Sequence, residues 1–527
     1  MTSDGTTSGG CPMNRRRFLT GLGLGAAASA ATLTPAGAAL AGPAAPARRP
    51  PAFETTFGRL FPRLAPFSPD TVALTEALLD IGRPGGILDA NDDLSAGPLA
   101  LLINPALNVN NPNNPFHTGG TTFMGQFLDH DITFDVGSRL GVPTDPGSSR
   151  NGRTPAFDLD SVYGAGPMAS PHLYDRADRD RFYYYTGGVF EDLPRGDDMR
   201  ANIADPRNDE HLIIAGLQCA FLKFHNQAVD HVRRPGRRDP NAFANARRLM
   251  TWHYQWMIVH EFLPLFVGQD LVDDILANGR RFYRPTGGAS MPVEFQGAAY
   301  RFGHSMVRPS YRANRTGQDG GPFIGFVFDP LAEPSDDPDD FVGGSRGDRR
   351  FIGWESFFDF GDGQVRPNKR IDTKLSSPLF NLPLSAIASG DNPTVLAQRT
   401  LLRHVTWSMP SGQDIAREMG EDQLLVADLP ELAQYGGLGL DASTPLFYYV
   451  LKEAELAEDG LHLGPVGGRI VAEVMLGLLE LDPDSYLNAR PRRWQPTLAD
   501  RRGVVTGDFR MVDFLTFAGV DPVSRGR

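Results

Sequence analysis

Apolar residues recur at helical spacing along most of this chain, while strand-type alternation is sparse. Residues 70–81, 121–131, 208–232, 240–266, 394–407, 412–419, 444–456, 464–479 and 510–518 read as helices, and 280–283 is a rare stretch that reads as a strand. Such a chain must bury its apolar stripes helix against helix, so the expected fold class is mainly α with little β-structure. With 527 residues, 41% of them hydrophobic, a large core is within reach. After the N-terminal region no apolar run is long enough to span a bilayer. A net charge of −12 argues against nucleic acid or an anionic membrane surface as a partner.

The N-terminus reads as an address. Asn14-Arg15-Arg16-Arg17-Phe18-Leu19 precedes a Gly- and Ala-rich run and then Ala39-Leu40-Ala41, with Gly42 following. This pattern predicts a twin-arginine signal peptide over 1–41, a Pro/Ala-rich linker over 42–52 and one continuous body over 53–527. The twin-arginine export machinery is thus an expected partner, with the mature protein periplasmic or extracellular. That route carries folded proteins and suits a chain that takes up a cofactor before export. Cys11 falls in the signal, which leaves Cys219 alone in the body and excludes an internal disulfide or a Cys-ligated metal. The literal G-x-S-x-G at 343–347 sits in an Asp-rich stretch, 333–350, that reads as a solvated loop and lacks the strand and helix a nucleophile elbow needs.

Three segments carry chemistry. In Gly125-Gln126-Phe127-Leu128-Asp129-His130-Asp131 a helix stacks Gln126 and His130 on one face, turns Asp129 about 100° away and sets Asp131 beyond His130. A histidine at a helix end, hydrogen-bonded to a neighbouring carboxylate, fits the same residues. In Asp205-Pro206-Arg207-Asn208-Asp209-Glu210-His211, Asp205 is a good N-cap and Pro206 a good first helical residue, so Arg207 lies in the first turn with Glu210 on nearly the same face. A surface Arg–Glu pair fits equally. Tyr300-Arg301-Phe302-Gly303-His304 sets one histidine among aromatic and apolar residues on a helix ended by Pro309, where a core histidine and a metal ligand are both open.

Taken in order, these pieces resemble the peroxidase–cyclooxygenase superfamily, the animal-type haem peroxidases. Gly125-Gln126-x-x-Asp129-His130-Asp131 resembles the distal motif and Thr154-x-Ala156-x-Asp158-x-Asp160-Ser161-Val162-Tyr163-Gly164 the calcium loop. Asp205-x-Arg207-x-x-Glu210 resembles the distal arginine segment and Arg301-Phe302-Gly303-His304 the proximal ligand segment, with 370–372, 377–380 and 509–514 as further landmarks. The resemblance implies one large helical domain around a buried haem b and a peroxidase that oxidises halide, pseudohalide or phenolic donors with hydrogen peroxide. His304 would ligate the haem iron. His130 and Arg207 would be catalytic, Gln126 would orient water or halide, and Arg403 would reach a haem propionate.

Asp129 and Glu210 match the positions that form ester links to haem methyl groups, so one or two links are expected. Where myeloperoxidase carries a methionine link, one position after the glutamate, this chain has His211, which points away from chloride and toward bromide, iodide, thiocyanate or phenols. Calcium would be held by Asp131, Thr154, Ala156, Asp158 and Asp160, the alternate positions turning oxygens, including the Ala156 carbonyl, to one centre. Thr400 replaces the family's asparagine beside the proximal histidine, a departure that predicts altered haem electronics. Two other readings compete: a fatty-acid dioxygenase of the same superfamily, which needs a radical tyrosine where Arg301 stands, and a non-catalytic adhesion or interaction module.

Overall fold

The computed structural model describes residues 53–527 apart from 188–189, 234–238, 318–319, 333–334, 336, 345, 491–492, 521–523 and 525–527. The expected signal, the linker and Ser345 lie outside the described residues. Pro50–Arg527 forms one compact unit.

Its centre is the helix Leu212–Val232, whose first eleven residues carry no charge and which is apolar nearly all round, so it is packed on every side. It rests against the helices Ala242–Met257, Met511–Ala518 and Gly119–Ile132. Phe221 anchors two of these packings, stacking on Phe127 at 4.3 Å and meeting Phe514 at 4.5 Å between ring centroids. Pro465–Leu481 and Leu446–Ala457 build a second layer, and Glu453 of the latter caps the former by accepting the N–H groups of Val466 (3.0 Å) and Gly467 (3.1 Å). Extended structure among the described residues consists of two-stranded pieces, such as Asn113–Thr118 against Pro367–Lys369 and Ser310–Arg312 against Ile324–Phe326, both antiparallel. The fold is mainly α, as the periodicity predicts.

Three local expectations are corrected. Residues 280–283 are not a strand: the N–H groups of Arg281, Phe282 and Tyr283 all turn onto the buried Glu473 carboxylate, at 2.6–2.9 Å, in place of a ladder partner. The stretch 240–266 is not one regular helix. Ala242–Met257 runs into a π-helical turn, Ile258–Phe262, and then Leu263–Val267. Pro264 has no N–H to give to the carbonyl four residues back, that of His260, and Arg510 Nη1 donates to that carbonyl instead. The Asp-rich stretch 333–350 is not wholly solvated: Asp340, Phe341, Arg346 and Arg350 are buried. Its Gly343 N–H bonds the Glu210 carbonyl at 3.0 Å, so this segment forms the bed on which Glu210 and His211 lie. A Cβ on Gly343 would stand 1.7 Å from the Asp209 carbonyl oxygen, so only glycine allows the approach.

Candidate active site

The helix Gly119–Ile132 turns four of its side chains to two different surroundings. Gln126, Asp129 and His130 line a cavity of about 290 Å3. Asp131 points away from it, accepting from Leu159 N (3.2 Å), Ser161 Oγ (3.0 Å) and Tyr254 Oη (3.0 Å). The helix is held close to its neighbours at its start, where Gly120 N–H meets the Phe357 carbonyl at 3.0 Å and a Cβ would come within 2.5 Å of it.

Arg207, Glu210, Arg301, His304, Thr400 and Arg403 line the same cavity, so the sequence-predicted haem-site residues all converge on it. Arg207 sits in a 3-10 turn, Pro206–Asp209, that Asp205 caps as expected by accepting the Arg207 N–H at 3.0 Å. The Arg207–Glu210 pair is neither exposed nor formed. Arg207 gives Nε and Nη2 to Asp205 at 3.0 and 2.7 Å, its Nη2 also reaches the His130 carbonyl at 3.0 Å, and its guanidinium lies 4.2 Å over the Phe134 ring. Burial works against the Asp205 charge, but Arg207 and Arg153 outweigh it and hold the carboxyl well below the usual range.

Hydrogen bonds assign the tautomers. Asn208 gives Nδ2 to Gln218 Oε1 at 2.8 Å, so its Oδ1, 2.8 Å from His130 Nδ1, accepts and leaves His130 Nε2 as the basic nitrogen. Burial, with the Arg207 charge adding to it, lowers His130 to about 4, which keeps it neutral at neutral pH. His211 caps the Leu212–Val232 helix by accepting Ile214 N–H on Nδ1 at 3.3 Å, so its Nε2–H donates to Gln126 Oε1 at 2.8 Å. Gln126 in turn gives Nε2–H to Glu210 Oε2 at 3.1 Å. Burial pushes Glu210 up to about 8. On Asp129, Oδ2 stands 3.7 Å from Arg301 Nη1, whereas Oδ1 is buried without a partner among the described residues.

His304 lies on the short helix Gly303–Met306 after a 3-10 turn, Ala299–Phe302. Thr400, on the helix Leu396–Thr406, gives its one hydroxyl hydrogen to the Leu396 carbonyl at 3.0 Å and therefore presents a lone pair to His304 Nδ1 at a long 3.4 Å. His304 Nε2 has no partner among the described residues. Burial, then Arg301 and Arg403, hold this imidazole neutral, well below its ordinary value. Arg403 pairs with Asp135 at 2.9 Å and Arg399 with Asp391 at 3.2 Å at the same cavity. Haem fits this donor set: an imidazole with one free nitrogen, a buried carboxylate oxygen without a partner, apolar walls from Phe266, Phe328 and Leu379, and arginines for anionic propionates.

Beyond Asp131 lies a second donor set. Carboxylate oxygens of Asp131, Asp158 and Asp160 stand within 4.8 Å of one another. Burial raises all three carboxyls, Asp158 to about 7, and mutual repulsion adds to it at Asp131 and Asp158. Thr154 N–H bonds Asp160 Oδ2 at 3.0 Å and Ala156 N–H bonds the Thr154 carbonyl at 2.8 Å, while Leu159 takes the left-handed conformation (φ 61°) between the two aspartates.

The sequence reading missed Asn208, Asp135 and Tyr254. Asn208 stands between two flagged residues, yet only the fold brings it to His130, 78 positions away.

Residues 138–323 match the family model of the animal haem peroxidases. Heme peroxidase 2 of Caenorhabditis elegans is 30% identical over 258 residues, 46% of this chain and 34% of that protein, so the match spans about a third of that relative's length. Peroxidase A of Dictyostelium discoideum superposes with a TM-score of 0.56 at 16% identity over 82% of this chain and 89% of that one. A fatty acid alpha-dioxygenase of Oryza sativa superposes with a TM-score of 0.53 at 14% identity, over 82% and 76%. At these identities the likeness to the two solved structures is one of fold. These matches relate residues 138–323 to the animal haem peroxidases, and the fold of the chain to that of the two solved structures.

Proposed function

We propose that this protein is a haem peroxidase that uses hydrogen peroxide to oxidise bromide, iodide, thiocyanate or small phenols. The observation that carries the reading is the convergence of His130, Arg207 and His304 on one cavity, with each imidazole held neutral and with one nitrogen free. When bound, haem supplies the iron that cleaves the peroxide O–O bond and stores the two oxidising equivalents. His304 Nε2 would hold the haem iron, and the Thr400 hydroxyl orients the ring at Nδ1.

His130 Nε2 takes the proton from the inner peroxide oxygen and returns it to the departing one, with Asn208 holding the tautomer that permits this. Arg207 stabilises negative charge on the leaving oxygen. Its two bonds to Asp205 fix the guanidinium in place and leave Nη1 for that task. Gln126, held by His211 and Glu210, positions water or halide beside His130. Asp129 and Glu210 are the candidates for ester links to the haem, and the unpartnered Oδ1 of Asp129 supports that role. Asp131, Asp158 and Asp160 would hold calcium, with oxygens of Thr154 and Ala156 completing its shell.

No helix among the described residues is long and apolar enough to cross a membrane. Twin-arginine export to the periplasm or beyond is proposed from the N-terminal sequence, and N-terminal sequencing of the exported protein should begin at Gly42.

The test is steady-state oxidation of bromide, iodide and a phenol by the purified haem protein. Peroxide-dependent turnover with a Soret shift is expected. Oxygen uptake with an unsaturated fatty acid and no peroxide requirement would transfer the chain to the dioxygenases, and absence of any peroxide response would make it a non-catalytic module. Arg301, which stands where a dioxygenase needs tyrosine, is turned toward Asp129 and supports the peroxidase reading. Haem retained on the protein through acid–acetone extraction supports the ester links, and complete release removes them.

A further inference from the structure

A second cleft, of about 100 Å3, opens where the strands Ser310–Arg312 and Pro367–Lys369 meet the start of the helix Gly119–Ile132, and it shares no lining residue with the cavity described above. Three guanidinium groups line it, those of Arg308, Arg312 and Arg366. None of them is in an ion pair among the described residues, although this acidic chain supplies carboxylates to Arg153, Arg195, Arg207 and Arg403.

Arg308 donates only to neutral acceptors: Nε to the Pro367 carbonyl (3.1 Å), Nη1 to that of Asn111 (3.3 Å), and Nη2 to that of Asn368 (3.3 Å) and to Asn113 Oδ1. Arg312 gives Nε to Ser356 Oγ (3.2 Å) and Nη2 to the Gln364 carbonyl (3.0 Å), which leaves Nη1 uncommitted. The exposed Arg366 side chain makes no hydrogen bond among the described residues. Burial and then repulsion from Arg366 pull Arg312 below its ordinary range, the behaviour of a cation cluster short of counter-charge.

The carboxylates that act on Arg312, Glu355 and Asp362, lie outside the lining. Glu355 is buried against Gly353, its oxygens have no hydrogen-bond partner among the described residues, and burial lifts it to about 7, so its compensation is partial. A second observation is independent of charge. Ser310 lines the cleft and is only 1% exposed, yet its hydroxyl has no hydrogen-bond partner among the described residues. A buried hydroxyl left so is costly unless something in the cleft completes it.

We propose that this cleft binds a small oxyanion of the phosphate or sulfate class, held between Arg312 and Arg366 in the field of Arg308, with the Ser310 hydroxyl as a neutral donor. The site has a structural consequence. Arg308 follows His304 by four residues, and Gly119 opens the helix that carries Gln126 and His130, so a bound anion ties together the segments bearing the two imidazoles without entering the space between them.

The experiment is isothermal titration of the haem-loaded protein with inorganic phosphate, in chloride buffer of matched ionic strength, with sulfate as a second arm. One saturable site is expected, weakened at least ten-fold in Arg366→Gln and in Arg312→Gln and unchanged in Arg417→Gln, whose exposed guanidinium pairs with Asp414 elsewhere. Arg366 is exposed, so its variant keeps the fold, which circular dichroism checks. Equal affinity for sulfate defines a general dianion site, and preference for phosphate defines one that also reads the phosphate proton. Absence of heat beyond the ionic-strength control, or undiminished affinity in Arg366→Gln, would overturn the proposal.

Discussion

At the scale of single residues, the side of the cavity bearing His304 differs from the side bearing His130 in how firmly its imidazole is held. His130 Nδ1 has an amide oxygen at 2.8 Å, whereas His304 Nδ1 has a hydroxyl at 3.4 Å whose hydrogen is already given to Leu396. A long hydrogen bond transfers little charge to the ring, so His304 would be a weak donor to a haem iron. Thr400→Asn, by offering a longer amide acceptor, should lower the midpoint potential of the bound haem. Spectroelectrochemical titration checks this, and an unchanged potential would refute the role given to Thr400. Gln126, His130, Arg207 and His304 were legible in the sequence because their residue types and order carry the chemistry. Asn208 and Asp135 were not, since each acts through a hydrogen bond that the fold closes across many positions. His211 was noted only as a replaced methionine. Its place at the head of a long helix makes it a cap that sets the Gln126 amide.

At the scale of elements, the helix Gly119–Ile132 couples two sites because Asp131 follows His130 and faces the opposite way. A buried Asp131 beside half-buried Asp158 and Asp160, with repulsion raising the carboxyls of Asp131 and Asp158, is unfavourable without a cation, and calcium would relieve it while pinning this helix to the loop 154–160. Chelation with EGTA should therefore lower the unfolding midpoint. A site filled at ~100 times its Kd contributes ~2.7 kcal/mol to stability. Asp158→Asn should blunt the response to EGTA, and a wild-type midpoint that ignores both calcium and EGTA would remove the metal from the account. Helices were the most legible part of the fold, because a period of 3.6 over ten or more residues has few other readings: 412–419 matches Gly412–Met419, and 510–518 matches Met511–Ala518 to one residue. The errors fell where a distant side chain decides the backbone, Glu473 at 281–283 and Arg510 at the turn before Pro264. No local pattern announces such partners.

At the scale of the whole molecule, one central apolar helix lets the segments 119–132 and 206–211 pack around it while 299–306 and 396–406 approach the same cavity. The order of those segments along the chain could be read, but their convergence could not. In the proposed reaction His130 is the base that takes the peroxide proton. Stopped-flow mixing of the haem-loaded protein and of His130→Ala with hydrogen peroxide tests it, provided both variants show the same Soret band before mixing. The second-order rate constant should fall by ~10²–10⁴-fold in His130→Ala, the usual worth of a positioned general acid–base. A variant that reacts with peroxide as fast as the wild type would contradict the account.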